Sequence, residues 1–212
     1  MLPPKIQTGL AEFETYSQDN RQLLEHLAIE GQKPEALVIA CSDSRVAPEL
    51  LLQSEMGDLF VTRNIANIVP PFGTGEMAVG AVIEYAVRHL QLGHIIVCGH
   101  TDCGGIKALN HPADWSREPH IARWLEHARP AKTKVEASGT PPEAQLLATV
   151  RENVRLQLEH LRSYDLIREG EDAGALVLHG WVYHLETGHV ENYDLSSEQW
   201  IPLSAGRPGL DV

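Results

Sequence analysis

Two short apolar, largely β-branched runs frame the chain, Ala36 to Ala40 and His94 to Cys98. Neither alternates with polar positions, which is the pattern of a strand buried on both faces of a parallel sheet. A third strand fits Asp58 to Arg63. Two more fit Ala175 to Leu185 and Gly188 to Leu195, joined by the turn Glu186-Thr187-Gly188. Helical periodicity fills the spaces between. Residues 5 to 30 carry Leu10, Phe13, Tyr16, Leu23, Leu24 and Leu27 at helical spacing until Gly31 and Pro34 stop them. Their apolar face has no partner before the sheet begins, so it is expected to pack across the sheet or onto a second subunit. Pro48 to Leu52 starts a short helix, residues 76 to 91 make a strong one, and 143 to 163 a long one through Leu146, Val150, Val154, Leu158 and Leu161. The loop from Asn64 to Gly75 holds Pro70 and Pro71, and residues 111 to 142 are expected to hold one or two outer helices. The alternation predicts an α/β fold. No repeat, linker or composition shift divides the chain. Residues 1–212 therefore read as one domain, with 1–31 as an N-terminal helical arm and 196–212 as a loose C-terminal tail.

Composition narrows the functional classes. The 212 residues suffice for one sizeable core, and the formal charge of −12 argues against a nucleic-acid partner, which would need surplus Lys and Arg. No apolar run reaches the roughly 18 residues of a membrane helix. The opening Met1-Leu2-Pro3-Pro4-Lys5 lacks the apolar core of a secretory signal, so a cytoplasmic protein is expected. The cluster Glu169-Gly170-Glu171-Asp172 reads as a solvated turn. Three cysteines do not form a disulfide framework; a reducing compartment and metal or catalytic use fit better. His26, His127 and His160 sit in helical patterns and read as surface or half-buried.

The chemistry gathers at the ends of the two framing runs. The second passes through Cys98 and Gly99 into His100 and Cys103, and the first ends at Cys41. Open α/β sheets place ligands at the carboxyl ends of their strands. A catalytic zinc takes three protein ligands and keeps one position for water, and Cys41, His100 and Cys103 supply such a set. Two thiolates, a neutral imidazole and Zn²⁺ are close to neutral together, which suits a partly buried site. Cys98 reads as plain core. Asp43 and Arg45 follow Cys41 by two and four residues. The carboxylate is either a fourth ligand or an acceptor for a proton of zinc-bound water, with Arg45 holding it ionised and oriented.

Cys41-Ser42-Asp43-Ser44-Arg45 followed by Gly99-His100-Thr101-Asp102-Cys103-Gly104-Gly105 resembles the β-class carbonic anhydrases. The resemblance runs through Phe60-Val61-Thr62-Arg63-Asn64-Ile65-Ala66-Asn67, Pro70-Pro71-Phe72-Gly73, Ile83-Glu84-Tyr85-Ala86-Val87 and His179-Gly180-Trp181-Val182-Tyr183, covering roughly residues 30 to 195. It implies a mostly parallel central sheet with an antiparallel edge strand and helices on both faces. It also implies N-terminal helices packing on a partner subunit in a homodimer or tetramer, and one Zn²⁺ per chain on Cys41, His100 and Cys103. The implied reaction is reversible hydration of CO₂ to bicarbonate and a proton by zinc-bound hydroxide, in the cytoplasm or within a bacterial microcompartment. Asp43 and Arg45 become the dyad beside the zinc water. Phe60, Ile65 and Tyr85 line the CO₂ pocket, and the Gly104 N–H stabilises the anionic oxygen. Gln32, nine residues before Cys41 as in plant-like members, adds a second donor from the partner subunit. Tyr85 and His89 become a proton shuttle. Members with an allosteric bicarbonate site carry Trp where this chain has Val38, although Arg63 and Tyr183 are present. The water-bound, open form is therefore expected. Two other readings share the metal triad: a carbonyl sulfide or carbon disulfide hydrolase, and a non-enzymatic zinc-stabilised structural or sensing protein, for which Asp43 and Arg45 would be dispensable.

Overall fold

Strand β1 (Ala36–Cys41) is buried at every position, as its unbroken apolar run requires. The computed structural model describes residues 2–109 and 115–203, without the side chain of Ser116. These fall into two compact units, Met1–Lys33 and Pro34–Val212. The first consists of helices α1 (Pro4–Asp19) and α2 (Arg21–Glu30), in which no residue is buried. Ile6, Leu10, Phe13 and Tyr16 stand exposed, whereas Leu23, Leu24 and Leu27 are half-buried.

The second unit continues from β1 through α3 (Pro48–Leu51), β2 (Leu59–Asn64), α4 (Met77–Glu84), β3 (His94–His100) and α5 (Gly104–Ala108). Then come α6 (Pro119–Leu125), α7 (Arg129–Ala137), α8 (Pro142–Leu161), α9 (Asp165–Asp172), β4 (Val177–Tyr183), β5 (Val190–Asp194) and β6 (Gln199–Pro202). The strands form one sheet in the order β2-β1-β3-β4-β5-β6. The first four are parallel and β5 and β6 add antiparallel. This is the expected sheet with one strand more at its antiparallel edge. The chain passes from β1 to a neighbour on one side and later places β3 on the other. The carboxyl ends of β1 and β3 therefore flank the point where strand order reverses.

One face of the sheet packs Leu37, Ile39, Ile95 and Val97 against α8, whose Val150, Val154, Leu158 and Leu161 are buried as the spacing predicted. The other face carries Val38, Ala40, Ile96 and Cys98, with Trp181 and Tyr183 packed against them. Cys98 is core, and burial pushes its thiol up to about 12.

Three local readings need correction. The acidic run 169–172 is the end of α9, not a turn; Ile167 is its buried anchor, and Arg162 pairs with Glu171 through two bonds. The tail expected to be loose from 196 holds β6, which pairs with β5 from Asp194↔Gln199 to Glu191↔Pro202. Residues from 204 onward lie outside the described ones. The helix expected over 76–91 changes pitch at Tyr85, where the Leu90 N–H bonds back to the Tyr85 carbonyl at 3.0 Å, a π turn over Tyr85–His89. Among the described residues no helix is long and apolar enough to cross a membrane.

Candidate metal centre

Cys41 ends β1, His100 ends β3, and Cys103 follows after a two-residue turn. Their donor atoms all lie within 4.8 Å of one another, with the two sulfurs 4.0 Å apart. All three residues are buried, His100 completely. The imidazole is already set for ligation. Its Nδ1 lies 2.8 Å from the Thr101 carbonyl, which can only accept, so Nδ1 carries the proton. Nε2 is then a bare lone pair, buried without a hydrogen-bond partner among the described residues. A buried, unpartnered lone pair costs free energy unless something occupies it. Facing two thiols, it fits a borderline-soft dication such as zinc.

The sulfurs are prepared for the same ion. The hydrogen bond with Cys103 holds the Cys41 thiol below its usual range against the opposing effect of burial, and His100 and the Asp43 and Ala66 N–H groups add to it. That contact and burial push Cys103 far above the usual thiol range. A cation bound between them would favour the thiolate form of both. The N–H groups of Gly105 and Ile106 at the start of α5 already face Cys103.

Asp43 does not join the donor group. Arg45 occupies it: the Arg45 N–H and Nε donate to Oδ1 at 3.0 and 2.9 Å, and Nη2 donates to Oδ2 at 2.8 Å. Those hydrogen bonds hold the carboxyl far below its usual range. Oδ2 lies 3.9 Å from His100 Nε2.

Arg63 appears in a role not read from the sequence. It donates to the carbonyls of Cys41 at 2.9 Å and Asp43 at 2.6 Å, fixing the backbone that carries ligand and carboxylate. Val38 is core, one per cent exposed, in the cluster against which Tyr183 packs.

The turn after β2 was also missed. Ala66 and Asn67 both take left-handed backbone, φ +63° and +48°, uncommon outside glycine. Two amides on α8 brace them. Asn153 donates to the Ala66 carbonyl at 3.0 Å, and Gln157 accepts from the Val69 N–H at 2.8 Å while donating to Asn153. The Ala66 N–H faces the Cys41 sulfur. The only sequence signal was a pair of amides, four apart, on an otherwise apolar helical stripe.

The remaining candidates divide by place. Ile65, partly exposed, abuts α5: a Cβ at Gly105 would come within 2.8 Å of it. Gly104 opens α5 with free space where a Cβ would stand. Phe60 stacks on Tyr85 at 5.8 Å between centroids, and Tyr85 on His89 at 5.0 Å, the π turn setting those two rings nearly parallel. Phe60, however, pairs with Leu37, whereas Asn64 pairs with Cys41. Phe60 thus lies about 13 Å down the sheet from the level of the donors. Gln32 is exposed in the first compact unit.

Comparison with known proteins agrees with this geometry. The family model described as carbonic anhydrase matches residues 36–190. A carbonic anhydrase of Pseudomonas aeruginosa is 46% identical over 200 residues, covering 90% of each chain. One from Synechocystis is 42% identical, covering 88% of this chain and 69% of its own. Among solved structures, the β-carbonic anhydrase CcaA superposes with a TM-score of 0.89 at 39% identity, covering 95% of this chain and 92% of that one. A structure of tetrameric β-carbonic anhydrases from Sordaria macrospora gives 0.76 at 30% identity, covering 89% and 94%.

Proposed function

The chain belongs to the β-class carbonic anhydrases, and from that premise we propose how its own residues serve the zinc-dependent, reversible hydration of CO₂ to bicarbonate and a proton. Cys41, His100 and Cys103 would hold one zinc ion per chain, which would supply a Lewis acid able to lower the pKa of a water to about 7. Asp43 orients that water. A carboxylate offers about four acceptor positions, and Arg45 fills three of them, leaving one on Oδ2, the oxygen beside His100. That remaining position is the observation that carries the reading. Asp43 accepts one proton in a hydrogen bond and, held ionised, does not take the proton itself. Ile65 gives CO₂, which is uncharged, an apolar surface next to the site. The Gly104 N–H, with no side chain in the way, donates to the oxygen that becomes anionic.

Phe60 and Tyr85 lie down the sheet from their own chain's donors, which supports a site completed by a second copy. In a homodimer, Gln32, Phe60 and Tyr85 serve the partner's zinc, and Tyr85 with His89 passes the proton to buffer. A tetramer as in Sordaria would pair two such dimers. Three free cysteines, two of them metal donors, need a reducing compartment, and we place the chain in the cytoplasm.

The test is stopped-flow CO₂ hydration with a zinc assay on wild type and Asp43→Ala. The variant should keep one zinc per chain and lose at least about 100-fold in turnover, the lower end for general acid–base groups. Full turnover in Asp43→Ala would refute the role of Asp43, and zinc without hydration in wild type would refute the reaction.

A further inference from the structure

We infer that Asp102 is a positioning residue for this reaction, one that anchors Arg45 from the side opposite Asp43 and so keeps the Asp43 carboxylate off the metal. The inference rests on the proposed function.

Arg45 is held by acceptors, not by packing, for its side chain is 48% exposed. Nε and Nη2 go to Asp43. Nη1 donates to Asp102 Oδ2 at 2.9 Å, and Nη2 also reaches the Asp102 carbonyl at 3.3 Å. Lys107, on α5, takes Oδ1, so both oxygens of Asp102 are used. Asp43 and Arg45 belong to the same short turn and can move as one body. Asp102 belongs to the other donor-bearing turn, between His100 and Cys103. The guanidinium therefore ties together the two segments that carry the metal donors, and Asp102 is its fixed end.

The residue type at 102 agrees. Its φ is +59°, left-handed, where glycine is strain-free and aspartate is only tolerated. A turn with no other task is best served by glycine. An aspartate there retains a carboxylate at a backbone cost, and its two oxygens have found Arg45 and Lys107.

The consequence lies with Asp43. Carboxylate oxygens are ordinary zinc ligands, and Oδ2 already stands 3.9 Å from His100 Nε2. With Arg45 unanchored, Asp43 is free to swing with it and compete with water for the fourth position.

Asp102→Gly separates backbone from carboxylate, since glycine suits the turn, and Asp102→Asn keeps the side-chain shape as a second variant. Each is compared with wild type by metal content, thermal melting, the pH profile of kcat/KM and the visible absorption of the cobalt(II)-substituted protein. The expected result is one metal per chain and unchanged melting in both variants. Activity at neutral pH should fall about tenfold and recover at raised pH, with an altered cobalt spectrum as a carboxylate enters the coordination. Asp102→Glu should restore part of each. A cobalt spectrum and pH profile identical to wild type in Asp102→Gly would overturn the inference. Should wild type itself hydrate no CO₂, the proposed function fails, while the cobalt spectrum still decides the role of Asp102.

Discussion

Gly99, between Cys98 and His100 on β3, is the point where a single added methyl should disturb both fold and metal site. A Cβ there would stand 2.7 Å from Val154 Cγ2, 3.4 Å from Val150 Cγ1 and 3.6 Å from Asn67 Oδ1. The first contact is about 1 Å short of the usual carbon–carbon separation of ~3.5–4.0 Å. Val154 cannot swing aside, because it is wholly buried and a valine in a helix has one strongly preferred rotamer. Helix α8 must therefore back away from the sheet. It carries Asn153 and Gln157, which brace the left-handed turn at Ala66, so the movement reaches the Cys41 sulfur. Overpacking of this kind costs about 1–3 kcal/mol. For a chain of this length that lowers Tm by roughly 2–4 °C per kcal/mol. Gly99→Ala should thus melt several degrees early by calorimetry and bind zinc more weakly in competition with a chromophoric chelator. Val154→Ala supplies the control: alone it costs about 2 kcal/mol, at ~0.8 kcal/mol per buried methyl plus a cavity. In the double variant the two penalties should overlap by about 1 kcal/mol or more. Strict additivity, or a Gly99→Ala protein that melts and binds zinc as wild type does, would refute the reasoning.

Three further outcomes follow from the same geometry. Thr101→Val removes a hydroxyl that donates to Glu186 at 2.8 Å and accepts from the Leu185 N–H at 3.0 Å. The Thr101 carbonyl that orients His100 is then less firmly held, and zinc affinity measured by chelator competition should fall about tenfold, with Thr101→Ser restoring it. Stripping zinc at neutral pH leaves the Nε2 lone pair and two close thiols uncompensated; at a hundredfold excess of zinc over its Kd the ion contributes about 2.7 kcal/mol, so Tm should drop by roughly 5–10 °C, and an unchanged Tm after complete removal would exclude zinc as a structural contributor. The carboxyl of Glu191 is lowered despite the opposing effect of burial, because Arg151 and His184 both bond to it. Its stabilisation is full above the unfolded value of ~4.3 and is lost as pH falls through the lower folded value. Glu191→Gln should therefore melt below wild type at pH 7 and converge on it toward pH 3; a constant gap would contradict the pairing.

What the sequence made legible was set by how local each signal was. β1 and β3 could be read because both faces are buried and every position must be apolar, and the donors because they stand where those runs stop. Helix α9 was hidden, since Ile167 is its one buried residue and most of its other positions are charged. β6 is four residues long, ends in proline and has mostly exposed side chains, so it offers almost no period to read. The π turn at Tyr85 has no composition of its own. Asn153 and Gln157 sit on a stripe recognised by its apolar members, and their purpose is visible only once the turn at Ala66 lies beneath them. Arg63 was read through its resemblance to an allosteric arrangement, whereas its bonds go to the carbonyls of Cys41 and Asp43.

The charge of the site is more balanced than that of the chain. The protein as a whole carries −12, which repels bicarbonate. Around the donors, Arg45, Arg63 and Lys107 face the carboxylates of Asp43 and Asp102, and the Arg63 guanidinium bonds to carbonyls. Zinc and two thiolates would cancel, and the Glu186 carboxylate, bonded to Thr101 beside Asp102, offsets the remaining cation, so the site as a whole is close to neutral. A pocket that must receive neutral CO₂ and release an anion gains from a cationic field only if the field is modest. Strong attraction would hold the product, and none would leave the forming anion unsupported. Placing the carboxylate of Asp102 against Arg45 trims one cation without removing its hydrogen bonds.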